Sequence, residues 1–286
     1  MSATTTRAPR TPAAPPVGAP APPPTRRSLL ALLRRGLRDQ ARAPLTWGAG
    51  LGALGALMAA IWPSIEGSME ELMRSYPESL KQAFGIQRLD SVERYVDAEM
   101  LSLIVPFAAA FFVVRCVTRA TVGAEDRGHL DTLLSLPVSR RVVVGAAYGV
   151  AGAALATVLA VFWGMTWVAG TIAGTGISAT TLGAGALNVW PLAMAFGGLA
   201  ALLAGVLHRP AAVTGLASGA VVAMYVIDLL GKLSDPLRPI RAVSAFRYYG
   251  SAIQDGFDVS HAVALTLVGV ALTVVGALLF ERRDVL

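Results

Sequence analysis

Apolar residues in this chain fall in long unbroken blocks, and block length is the first structural signal. A helix crosses a hydrocarbon layer in about 20 apolar residues. No charge occurs between Ala43 and Ile65, which predicts a first span near 45–63 ending at Trp62-Pro63. A second block, running through Met100–Val114 up to Arg115 and Arg119, predicts a span near 99–121. From Val142 to Leu207 no Asp, Glu, Lys or Arg occurs over 66 residues. That is too long for one helix, and the Gly/Ser/Thr run from Gly170 to Gly185 divides it into spans near 142–169 and 186–207. A fifth is expected near 211–231 and a sixth near 261–280. Since lipid accepts no backbone hydrogen bonds, each span must be a helix.

The segments between the blocks carry weaker patterns. Residues 1–25 hold eight prolines and read as a disordered tail. In 26–44, Leu30, Leu33 and Leu37 share one helical face opposite Arg34, Arg35, Arg38 and Arg42. That is the pattern of an amphipathic helix lying on anionic headgroups, ended by Pro44. Met69, Leu72, Met73, Tyr76, Leu80 and Phe84 predict an amphipathic helix over the far mouth of the bundle. Segment 233–258 is too polar to span and predicts a re-entrant or interfacial hairpin broken at Pro236 and Pro239. Glycines four apart (Gly48/Gly52, Gly145/Gly149, Gly215/Gly219) are candidate helix–helix contacts.

Composition sharpens the class. Of 286 residues, 55% are hydrophobic and 15% charged, with mean hydropathy +0.60. Soluble domains carry roughly 25% charge, so a soluble enzyme is excluded. The fold class expected is an all-α membrane protein of six transmembrane helices, with 45–286 as the membrane domain. One cysteine, Cys116, rules out an internal disulfide and a cysteine-based metal cluster.

The net charge of +6 does not point to nucleic acid, because the cations flank apolar blocks. With both termini cytoplasmic, the inner segments collect 16 Lys/Arg and 6 acids, the outer ones 8 and 12. The positive-inside rule therefore predicts cytoplasmic termini in a cell-membrane protein.

Chemistry-bearing motifs are absent. The histidines His129, His208 and His261 form no H-E-x-x-H, and no G-x-S-x-G occurs. The one Gly-Lys pair, Gly231-Lys232, is followed by Leu233, where a nucleotide-binding loop needs Ser or Thr. No catalytic residue, cofactor or metal ligand is expected. Asp228 and Lys232, one turn apart, read as a local ion pair. A secondary transporter would need titratable groups in mid-membrane, and none are found there.

The informative stretch runs between the second and third spans, from Glu125-Asp126-Arg127-Gly128-His129-Leu130 through Leu133-Leu134-Ser135-Leu136-Pro137 to Arg140. Leu130, Leu133 and Leu134 make one apolar ridge, acids stand at its start, and Pro137 stops it. A short helix of this kind suits seating in the groove of a soluble partner. Periodicity alone fits equally well a helix resting on lipid.

The run Glu125–Arg140 resembles the signature of permease subunits of the type-two ABC exporter family. Similarity extends to the basic entry helix before Trp47, to Tyr76-Pro77 and Ala83-Phe84-Gly85, and to the closing Phe280-Glu281-Arg282-Arg283-Asp284. Ser244-Ala245-Phe246-Arg247-Tyr248-Tyr249 is similar to a family motif in which proline stands where this chain has Ala245. The resemblance implies a transport subunit that hydrolyses no ATP itself. It implies pairing with a second transmembrane half, a second copy of this chain being the expectation, and with separate ABC ATPase subunits. Carried over residue by residue, Glu125, Arg127, Gly128, Leu130, Leu133, Leu134 and Pro137 become the ATPase-docking set. The cargo implied is a hydrophobic or amphipathic drug-like compound. A membrane scaffold that transports nothing is the alternative reading.

Overall fold

The computed structural model describes residues 42–75, 77, 90–126 and 139–282. Among these, all regular structure is helical. The elements are α1 (Arg42–Ser75), α2 (Val92–Ala120), α3 (Val122–Asp126), α4 (Arg140–Ile172), α5 (Ala179–Val206), α6 (Pro210–Leu233), a 3-10 helix (Asp235–Val243), α7 (Ala245–Tyr249) and α8 (Val259–Glu281). Six of them (α1, α2, α4, α5, α6 and α8) are long and apolar enough to cross a membrane, so the chain is a multi-pass membrane protein.

Several boundaries differ from expectation for local reasons. The first helix does not stop at Trp62-Pro63 but continues to Ser75. A proline inside a helix removes one hydrogen bond, and here Trp62 anchors the turn, 3% exposed and 5.4 Å from the Tyr95 ring. Pro44 likewise falls inside the first turn of α1 rather than ending a helix. The expected interfacial helix of 26–44 otherwise lies outside the described residues, as does most of the amphipathic segment ending at Phe84. The second helix begins at Val92, seven residues before its expected start, and so takes in Asp97.

The break between α4 and α5 falls at 173–178, inside the expected Gly/Ser/Thr divider. Gly174 and Gly176 take φ of +70° and +71°, a conformation that a Cβ strains. Thr175 closes the end of α4 by donating both its N–H (3.1 Å) and its hydroxyl (2.9 Å) to the Gly170 carbonyl.

Helix α5 is the centre of the bundle: 72% of its most apolar stretch is buried, against 22% for α6. It packs on α8, α2 and α4, while α1 lies along α4. The tightest seam joins α5 to α8 through glycines seven apart. A Cβ on Gly198 would overlap the Gly269 backbone, and one on Gly205 would sit 2.6 Å from the Gly276 carbonyl oxygen. Of the candidate pairs, Gly48 and Gly52 do meet a neighbour, at Val161 and Met165 of α4, whereas Gly145, Gly215 and Gly219 face open space. Outward positions such as Leu216, Val222, Leu267 and Val274 are apolar and exposed, as a surface that meets hydrocarbon must be.

Candidate functional site

Helix directions put two polar regions at opposite ends of the bundle. The end that carries the start of α1 and the close of α8 also carries α3 and the start of α4. There the Arg141 guanidinium pairs with the Glu281 carboxylate, tying α4 to α8. α2 ends at Thr121, whose hydroxyl donates to the Val117 carbonyl at 2.8 Å, and α3 follows directly. Of the expected docking set, Glu125 lies half-buried in α3. Arg127, Gly128, Leu130, Leu133, Leu134 and Pro137 lie outside the described residues.

The opposite end is built in detail by the segment between α6 and α8. Asp228 is 3% exposed near the end of α6. Its expected pairing with Lys232 is present at 2.9 Å, but a second cation, Arg241 Nε, reaches the other carboxylate oxygen at 2.8 Å. The carboxylate is therefore a buried anchor between two elements rather than a local surface pair. Gly231 makes the crossing possible, since a Cβ there would collide with the Arg241 side chain. Pro236 and Pro239 do not break this segment. Both lie within the 3-10 helix, Pro236 in its first turn, where the missing N–H leaves no helical bond unmade.

The next turn seats an aromatic wedge. Ser244 donates to the Met224 carbonyl at 2.6 Å and accepts from the Phe246 N–H at 3.2 Å, so it both fixes α7 to α6 and caps it. Ala245 holds the first helical position, where proline would be equally tolerated; the family motif's proline is thus dispensable for this turn. Phe246 then packs among rings from three helices: Phe107 of α2 at 5.8 Å, Tyr225 of α6 at 5.4 Å and Phe196 of α5 at 6.2 Å.

Tyr249 closes the wedge through a backbone vacancy in α2. Residues Asp97–Ile104 are π-helical, with the Val105 N–H bonded to the Met100 carbonyl, five residues back. In that register the Leu101 carbonyl would take the N–H of residue 106, which is proline. The Tyr249 hydroxyl donates to it instead, at 2.7 Å. Burial, and then the nearby Asp97 charge, hold the Tyr249 phenol well above its ordinary value, so it stays a donor. The Tyr249 carbonyl in turn accepts from Asn188 Nδ2 of α5 at 2.7 Å.

Asp97 itself is 6% exposed. Its Oδ2 accepts from the Ser251 hydroxyl at 2.5 Å and from the Gln254 amide at 3.0 Å. Between the two anchored carboxylates lies a cavity of about 390 Å³, walled by Tyr225, Phe246 and Tyr249 and edged by Asp255, Arg238 and Arg247. Sequence reasoning missed this site. It counted Asp97 with a loop, because the apolar block starts only at Met100, and it left Arg241, Ser251 and Gln254 without roles. The available signal was the distance from Asp97 to Pro106, under three helical turns, with no helix breaker between.

A search of curated proteins returns no match. Residues 29–281 match the model described as multidrug efflux system permease Rv1217c, C-terminal domain, and the chain belongs to that family.

Proposed function

We propose that this efflux permease is the membrane half of an ATP-driven exporter that carries hydrophobic or amphipathic compounds outward across the cell membrane. The observation that carries the reading is the family match over nearly the whole bundle, 29–281. In this reading the chain pairs with a second transmembrane half, a copy of itself, and with separate ATPase subunits. Its termini are cytoplasmic, as the excess of Lys/Arg at that end favours. The docking set is Glu125, Arg127, Gly128, Leu130, Leu133, Leu134 and Pro137. The leucines supply the buried anchor, and Glu125 and Arg127 the polar rim.

The route from docking loop to far end is short in the chain. α2 and α3 lead directly from Asp97 to Glu125, and α4 starts where the loop ends. Closure of paired ATPases on ATP would move the loop and, through α2, the Asp97 contacts with the 251–254 turn. Transport then requires that cargo affinity differ between the two bundle states.

The test replaces Leu133 and Leu134 together by Asp in the chain co-expressed with its candidate ATPase. Loss of co-purification and of ATPase stimulation is expected, with the permease itself still extracted as a folded protein. Unchanged recovery of the ATPase would remove the docking assignment.

A further inference from the structure

Two buried carboxylates stand at the same end of the bundle, and among the described residues only one of them meets a cation. Asp228 has Lys232 and Arg241 within 2.9 Å. Asp97 meets no cation among the described residues: its Oδ2 takes two uncharged donors, Ser251 and Gln254, and its Oδ1 meets no donor among them. A carboxylate removed from water without an opposite charge is costly. Asp97 lines the cavity of about 390 Å³, from which an opposite charge can reach it.

That cavity has the size of a small-molecule site, with a lining more polar than apolar. Tyr225, Phe246 and Tyr249 contribute to its lining, Phe246 5% exposed and Tyr249 9%. Aromatic rings attract organic cations. Asp255, close enough to act on the Asp97 charge, adds a second negative group at the rim. Lys232 and Arg241 are engaged by Asp228, and Arg238 and Arg247 are exposed at the edge, neither within ion-pairing distance of Asp97. Among the described residues no three acidic or histidine side chains gather as ligands for a bare metal ion. An organic cation, large and weakly hydrated, suits one carboxylate and three rings.

We propose that this cavity binds the cationic group of an amphiphile, a protonated amine or a lipophilic onium ion, with Asp97 as its counter-ion. As a statement about cargo this rests on the export reading above. As a statement about binding it stands apart from that reading.

The experiment measures binding of tetraphenylphosphonium and of its anionic isostere tetraphenylborate to the purified full chain in lipid nanodiscs, without nucleotide or ATPase. Wild-type protein should bind the phosphonium. Asp97→Asn should weaken it by roughly tenfold, the scale of one charge–charge contact in a partly dry site, and leave the borate unchanged. Asp255→Asn, an exposed rim change that spares the fold, should weaken it by a smaller factor. On the wild-type chain, which needs no altered fold, an azido-phosphonium photolabel should mark peptides from 97–102 or 225–255. Equal phosphonium affinity in both Asn variants, or labelling confined elsewhere, overturns the site. Efflux from cells co-expressing the ATPase separates the two readings. Neutral-dye efflux that persists while phosphonium binding ignores Asp97 sinks the site alone; phosphonium binding that needs Asp97, with no efflux of any dye, sinks the export reading alone.

Discussion

At the residue level, the contacts that matter most are those in which one side chain repairs a defect left by another. Pro106 leaves the Leu101 carbonyl without its helical donor, and Tyr249 supplies one from 148 residues away. Asp228 is buried, and Arg241 reaches it from the 3-10 helix. Replacing Arg241 by Met keeps much of the apolar stem but removes a charge-assisted hydrogen bond from a carboxylate that is 4% exposed. The expected loss is about 2 kcal/mol, read as a lower melting temperature of the purified protein. Lys232→Met, at a side chain 31% exposed, should cost less than Arg241→Met, because water can partly replace the ammonium. Asp258 gives this end an acid-sensitive cap. It caps α8 by accepting from the Ser260 N–H at 2.8 Å, the Ser260 hydroxyl at 2.6 Å and the His261 N–H at 3.1 Å. The Ser260 hydroxyl bond, then the His261 backbone bond, hold its carboxyl below the usual range. A depressed folded value means that the cap's ionic contribution is complete above the unfolded value of about 3.9 and is lost as pH falls through the folded one. Melting temperature against pH should therefore drop on that acid limb in the wild type, and drop less steeply in Asp258→Asn, which keeps a capping oxygen but has no charge to lose.

At the level of the helices, glycine position decides which contacts are close, and spacing alone misplaces them. The sequence pattern favoured pairs four apart, yet the closest seam uses Gly198/Gly205 on α5 against Gly269/Gly276 on α8, seven apart, the repeat that keeps one face of a helix on its neighbour over two turns. The seam could not be picked out from sequence, because α5 and α8 are apolar on all sides and amphipathicity, the usual pointer to the inner face, is missing from them. Gly198→Val should therefore destabilise the bundle by more than about 2 kcal/mol through backbone overlap, whereas Gly215→Val, into open space, should leave the melting temperature within about a degree or two of wild type. Unequal effects in the reverse order would contradict the seam. Block lengths, by contrast, were fully legible: a charge in hydrocarbon is expensive enough that the uncharged runs mark all six helices. Their ends were not. Helices overrun the apolar blocks, so that Pro63 falls inside α1 and Asp97 sits about one turn before Met100, buried against the 251–254 turn. The cavity stayed hidden for the same reason, since its parts come from α2, α6 and a polar connector that no local period links.

For the molecule as a whole, the two polar ends have opposite electrical character, and that asymmetry makes orientation testable without knowledge of the cargo. Arg209 sits in the short turn between α5 and α6, exposed, at the end shared with Arg141 and Glu281. Asp255 is exposed at the opposite end, on the rim of the cavity. Positive residues resist transfer across an energised membrane, so the Arg209 end is expected inside and the cavity outside. The single native cysteine, Cys116, is 7% exposed inside α2 and gives little background for thiol chemistry. Asp255→Cys should therefore react with a membrane-impermeant maleimide on intact cells, and Arg209→Cys only after the membrane is opened. The same labelling reports on coupling. If motion of the docking loop travels along α2 to the 251–254 turn, the reaction rate at Asp255→Cys should change several-fold when the co-expressed ATPase is trapped with nucleotide, while a cysteine at Ile172, the last residue of α4, away from the cavity and 82% exposed, keeps its rate. A rate at position 255 indifferent to nucleotide would mean that the cavity end is static and that the ATPase acts on some other part of the bundle.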